Sequence, residues 1–169
     1  MKKNLVLLGM MAVGKTTLGK IVAKKQKLQF IDTDSCIEKK NLMTIEEIFE
    51  KKGEKFFRIE EEKEVLQSLQ KKNCVIALGG GAFVNKTIRA NILKSSISIW
   101  LDVNIKTLNS RVRWNQKRPL LNEKNYAEKL KKLYTERKDI YKLANHKIAC
   151  DKLTKRNIVE KIIALYEKY

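Results

Sequence analysis

Gly9-Met10-Met11-Ala12-Val13-Gly14-Lys15-Thr16 is the stretch whose reading decides the fold. It fits G-x-x-x-x-G-K-[ST] at every fixed position. The apolar run 4–8 leads into it, and a helical pattern over 14–25 leaves it. The glycines let the backbone curl so that its N–H groups face an anion, and the helix N-terminus adds the positive end of its dipole. Lys15 is placed to neutralise β and γ phosphates, and Thr16 to set a hydroxyl on Mg²⁺. A strand, this loop and a helix together predict a nucleoside triphosphate site at Gly9, Met11, Ala12, Val13, Gly14, Lys15, Thr16 and Thr17.

Outward from this loop, short apolar runs alternate with helical periodicity. Strands are predicted at 28–31, 74–78, 97–101 and 146–150, and helices at 35–40, 54–71, 85–94, 105–114, 125–145 and 156–168. Thr44-Ile45-Glu46-Glu47 reads as a capping box opening a further helix over 44–52, which Gly53 ends. Five apolar strands separated by helices imply an α/β fold, a parallel sheet covered on both faces.

The 169 residues hold one proline, Pro119, and no Gly/Ser-rich linker, so residues 1–169 are read as a single domain. Cys36, Cys74 and Cys150 lie far apart, which argues against a disulfide framework or a zinc site. No apolar run approaches the roughly 18–20 residues of a membrane span, so a cytoplasmic protein without membrane association is expected. The formal charge of +18 favours anionic partners. The excess is mostly lysine scattered along helices, without the interleaved aromatics of a single-strand binder. A nucleotide plus a small anionic substrate therefore fits better than nucleic acid, and a monomer is expected.

A guanine-reading Asn-Lys-x-Asp is missing: the run from Asn85 continues Lys86-Thr87-Ile88. The length suits a small-molecule kinase, which needs a second site for the phosphate acceptor. Asp32-Thr33-Asp34 puts two carboxylates at a strand end, pointing to one side if the chain stays extended. One could serve the metal and one an acceptor hydroxyl, or the pair could simply cap a helix. By helical periodicity Arg58 and Arg137 fall on the apolar sides of their helices, where a guanidinium must be paired or line a polar cleft. Glu61 and Glu62 are placed to steady Arg58. Gly79-Gly80-Gly81 would permit φ > 0 and close approach of a ligand, or form a plain turn. The basic run 111–118, with Arg111, Arg113, Lys117 and Arg118, reads as a lid or a solvated loop. Asp102 is read as the N-cap of the helix that follows it.

Taken together, Gly9 to Thr16, Asp32-Thr33-Asp34, Phe57-Arg58 with Glu61, Gly79-Gly80-Gly81-Ala82, Arg118-Pro119-Leu120-Leu121 and Arg137 with Tyr141 resemble the shikimate kinase family in order and spacing over nearly the whole chain. The resemblance implies a fold similar to nucleoside monophosphate kinases, with strand order 2-3-1-4-5, acceptor-binding helices over about 33–62 and a lid over about 112–124. It implies transfer of the ATP γ-phosphate to the 3-hydroxyl of shikimate. Asp34 would bind acceptor hydroxyls and is a candidate base; Arg58, Arg137 and Gly79 to Gly81 would hold the acceptor. Lys15 and Arg118 would stabilise the transferring phosphate, Thr16 and Asp32 would serve Mg²⁺, and Arg111 and Lys155 (or Arg156) would contact adenine. Ala12 stands where the family often has glycine, so a more ordinary φ and a slightly different turn are expected there. The rival readings are a gluconate or nucleoside monophosphate kinase and, from another class, a nucleic-acid-binding P-loop protein.

Overall fold

The structure, a computed structural model, describes residues 3–113 and 125–169, with side chains for 3–111 and 125–169. Of the expected lid over about 112–124, residues 114–124, Arg118 among them, lie outside the described residues. The elements run β1 (Asn4–Leu8), α1 (Lys15–Gln26), β2 (Gln29–Asp32), α2 (Thr33–Asn41), α3 (Ile45–Gln70), β3 (Cys74–Ala77), a 3-10 turn (Ala82–Val84), α4 (Lys86–Ser95), β4 (Ser96–Asp102), α5 (Ile105–Arg113), α6 (Tyr126–Tyr141), β5 (His146–Ala149) and α7 (Lys155–Tyr166).

The sheet order is β2-β3-β1-β4-β5, and every neighbouring pair is parallel. β1 and β3 are buried at every residue, which is why they read as unbroken apolar runs instead of alternating ones. Parallel strands deliver their carboxyl ends to one edge, so Leu8, Asp32, Ala77 and Asp102 finish side by side. That edge is where ligands bind in open α/β sheets, and the phosphate loop, Asp32 to Asp34 and Gly79 to Gly81 leave from it.

Local chemistry sets the helix ends. Thr44 and Glu47 form the expected capping box, with Glu47 N–H donating to Thr44 Oγ1 at 3.2 Å and Thr44 N–H to Glu47 Oε2 at 2.8 Å. Gly53, at φ 82° and ψ 166°, interrupts α3 as predicted, a conformation that favours glycine. Other expectations need correction. α2 opens at Thr33, so Asp34 sits in a first helical turn and not on an extended chain. Asp102 is not a helix cap: its carboxylate accepts from Tyr134 Oη at 3.0 Å and pairs with Lys147 Nζ at 2.8 Å. Asn104 supplies the cap instead, its Oδ1 accepting from Lys106 N–H at 2.9 Å. α6 ends at Tyr141, short of the predicted 145, because Asn145 turns away to bind Ser98 through both side chain and backbone.

Candidate active site

The phosphate loop follows β1 and curls through three left-handed or near-left-handed residues, Gly9 (φ 139°), Ala12 (φ 61°) and Gly14 (φ 99°). Ala12 was expected to prefer an ordinary φ; it keeps the left-handed turn instead, at a cost of about 1–2 kcal/mol for an L residue. Lys15 Nζ donates to the carbonyl oxygens of Gly9 at 2.9 Å and Met10 at 2.8 Å, so its ammonium lies over the loop. Arg111 of α5 reaches the same loop, Nη1 donating to the Val13 carbonyl at 3.4 Å.

Thr16 Oγ1 donates to Asp32 Oδ2 at 2.6 Å, while Asp32 Oδ1 accepts from Ser35 N–H at 3.2 Å and so caps α2. The two residues expected to serve a metal are therefore already together. A hydroxyl and a carboxylate are hard oxygen donors, which suits Mg²⁺ completed by substrate phosphates and water. The cap and metal readings of Asp32 are compatible, because each oxygen has its own partner.

Asp34 takes a different direction from Asp32. A Cβ added to Gly79 would lie 2.5 Å from Asp34 Oδ1 and 3.0 Å from Glu61 Oε1. A Cβ on Gly81 would lie 2.6 Å from Arg58 Nη1, and one on Gly80 would lie 3.5 Å from Arg137 Nη1 and 3.5 Å from Met11 N. Consecutive glycines thus meet Asp34, Arg137 and Arg58 in turn, with the phosphate loop against the middle one. None of the three has a positive φ, so the left-handed backbone anticipated there is not the reason for glycine. At Gly79 and Gly81 the reason is room for the side chains of Asp34, Glu61 and Arg58.

Arg58 is half-buried and donates to Glu61 Oε2 at 2.7 Å and to Glu54 Oε1 at 3.1–3.2 Å, with its guanidinium 5.3 Å from the Phe57 ring. Burial opposes its charge, but Glu61 and Glu54 outweigh that and raise its pKa. Glu62, expected to share this work, instead accepts from Asn85 Nδ2 at 2.7 Å and ties α3 to the start of α4. Glu61 is 2% exposed. Burial pushes its carboxyl above the ordinary range, with Arg58 and Arg137 pulling the other way.

Two residues of this site went unassigned in the sequence. Thr33 is wholly buried; its Oγ1 donates to the Ala77 carbonyl at 3.3 Å and accepts from Gly79 N–H at 3.1 Å, fastening the glycine turn to α2. Tyr141 donates to the Gly80 carbonyl. The signal for Thr33 is its place between two aspartates; for Tyr141 it is the spacing of four from Arg137. Lys155 is exposed on the first turn of α7, whereas Arg156 is paired with Glu160 at 2.9 Å. Asp151, in the loop before α7, accepts from Asn104 N–H at 3.0 Å and Thr107 Oγ1 at 2.9 Å, which binds that loop to the helix carrying Arg111.

The glycine turn makes a separable prediction. The atoms a methyl would strike at Gly79 and Gly81 are the ends of flexible side chains, so Gly81→Ala should displace Arg58 at modest cost to folding. We expect the acceptor KM to rise about tenfold or more with a Tm within about 4–8 °C of wild type. A Tm collapse with normal acceptor KM in the surviving fraction would contradict this account of the turn. Thr33→Val, which keeps the shape but leaves Gly79 N–H without its buried acceptor, should cost about 1–3 kcal/mol of stability in denaturant melts.

Three comparisons bear on this geometry. The family model Shikimate kinase matches residues 11–167. A curated shikimate kinase from Sulfurihydrogenibium sp. is 42% identical over 95% of this chain and 96% of its own. The structure superposes on the shikimate kinase of Acinetobacter baumannii in complex with shikimate with TM-score 0.93 at 32% identity, covering 99% of this chain and 94% of that one. The shikimate kinase of Bacteroides thetaiotaomicron gives TM-score 0.88 at 29% identity, over 98% of this chain and 97% of that one. A family model over residues 11–167, a relative 42% identical over nearly its whole length and a superposition at TM-score 0.93 agree: the chain belongs to the shikimate kinase family.

Proposed function

We propose that this kinase transfers the γ-phosphoryl group of ATP to the 3-hydroxyl of shikimate, giving shikimate 3-phosphate and ADP. The carrying observation is the turn 79–81: guanidinium groups of Arg58 and Arg137 converge on it from two helices, and its middle residue touches the phosphate loop. An acceptor with a carboxylate at one end and hydroxyls at the other fits a site with arginines on one side and Asp34 on the other. Planar guanidinium groups suit bidentate capture of that carboxylate. Asp34 then meets the hydroxyls beside the reacting one and is placed to take the proton as the new bond forms.

Phosphoryl transfer asks the protein for alignment and charge neutralisation more than for covalent chemistry. The curled backbone of residues 9–14 cradles the phosphates, and Lys15 exchanges its carbonyl partners for phosphate oxygens when nucleotide arrives. Arg118, in the lid, adds positive charge at the transferring group, and Arg111 and Lys155 flank the adenine. Thr16 and Asp32 would hold Mg²⁺, which when bound would supply positive charge to neutralise the phosphates. We further assign residues 1–169 to one domain, a monomer that acts in the cytoplasm on these two substrates, without nucleic acid or membrane. Among the described residues no helix is long and apolar enough to cross a membrane.

Coupled ADP release with shikimate, gluconate and nucleoside monophosphates in parallel tests the reading. Shikimate should support turnover far faster than gluconate or any nucleoside monophosphate. Turnover with gluconate or a nucleoside monophosphate and none with shikimate would overturn it, as would salt-dependent nucleic-acid binding without any acceptor-dependent ADP release.

A further inference from the structure

Tyr141 closes α6 and is 1% exposed, so no substrate touches it. Its ring packs against Trp100 of β4, with centroids 5.9 Å apart. Its hydroxyl donates to the Gly80 carbonyl and lies 3.8 Å from Met10 Sδ in the phosphate loop. The Arg137 guanidinium, one helical turn earlier, lies close enough to the same hydroxyl for its charge to lower the phenol's pKa. A phenol has one proton and two lone pairs, so it can give its proton to Gly80 and keep its lone pairs beside the charge of Arg137. The guanidinium in turn lies 3.5 Å from the position a Cβ of Gly80 would take. Glycine, arginine and tyrosine therefore form a closed set, in which the phenol oxygen is the joint between α6 and the turn after β3. Burial raises the phenol's pKa and Arg137 lowers it, as expected for a buried hydroxyl beside a guanidinium.

We infer that Tyr141 is a positioning residue for the acceptor: its hydroxyl sets the Gly80 carbonyl and the Arg137 guanidinium in register, and so governs acceptor affinity without touching acceptor or nucleotide. The inference rests on the reading of Arg137 as a holder of the acceptor carboxylate. Phenylalanine keeps the ring against Trp100 but removes the joint. The Gly80 carbonyl then loses a buried hydrogen bond, and the Arg137 guanidinium loses the oxygen beside it.

The test is a double-mutant cycle on the whole chain with shikimate and ATP. Tyr141→Phe should raise the acceptor KM about tenfold and leave the nucleotide KM within about twofold. In an Arg137→Ala background the same substitution should change the acceptor KM less than about threefold, because its target is gone. An unchanged acceptor KM, an equal rise in both KM values, or full additivity in the cycle would each overturn the inference. If Tyr141→Phe melts below the assay temperature, 4-aminophenylalanine at 141 replaces it. That residue keeps a donor for Gly80 but receives Arg137 poorly, so the acceptor KM still rises selectively; a wild-type acceptor KM would overturn the inference. Wild-type turnover of shikimate is measured alongside, and its absence would refute the functional reading instead.

Discussion

Lys15→Ala should lower kcat about 10³-fold with shikimate, and by the same factor with any weaker acceptor, while the protein melts near the wild-type temperature. The ammonium is the one cation that the loop itself carries, and its present partners are two backbone carbonyls at 2.8 and 2.9 Å. In a site where charge is spread over the γ oxygens, removal of a preorganised donor costs about 10²–10³ in rate, and loss of a full charge belongs at the upper end. The side chain is half-buried and donates to backbone carbonyls of its own loop, so stability should change little. The signature is a fall in kcat that does not depend on the acceptor. A variant with wild-type kcat would remove the phosphate loop from the mechanism.

Arg58→Ala and Arg137→Ala should each raise the acceptor KM by about 100-fold, because each removes a charge-assisted contact to the same small anion. The two should differ in stability. Arg58 is the direct ion partner of Glu61, which is 2% exposed, so its loss strands a buried carboxylate at a cost of about 1–3 kcal/mol. The pH dependence follows from Glu61. Its folded pKa is already raised by burial, and without Arg58 it rises further. A carboxyl with a raised folded pKa contributes full stability below its ordinary unfolded pKa and loses it as pH rises through the folded value. The Tm deficit of Arg58→Ala should accordingly be smallest near pH 4 and grow towards pH 8. A deficit that grows on acidification would mean Glu61 is ionised and otherwise paired.

Much of this architecture can be read before any coordinates. Strands buried on both faces announce themselves as continuous apolar runs, and Gly9 to Thr16 fixes which run is β1. The order of the remaining strands came with the family resemblance, since periodicity alone does not say which strands pair. Arg58 and Arg137 were found by a physical argument, their place on apolar helix faces, and both do line the glycine turn. What escaped was tertiary. Helical spacing allows Arg58 to reach either Glu61 or Glu62, and only the position of Asn85 sends Glu62 elsewhere. Three glycines suggest unusual backbone, but here two of them, Gly79 and Gly81, make space for Asp34, Glu61 and Arg58. Asp102 has the chemistry of a cap, yet Lys147 from the neighbouring strand and Tyr134 from α6 claim it first. Ala12 shows the reverse case, in which the loop's demand for a left-handed residue overrides the preference of the side chain.

The most direct test of the central claim is identification of the product. The chain is incubated with ATP, Mg²⁺ and shikimate, and the phosphorylated product is located by ³¹P–¹H correlation NMR. The account predicts one product, with phosphorus coupled to the proton on C3 and formed in step with ADP. ADP release without a phosphorylated shikimate, or phosphate on a different hydroxyl, would contradict it.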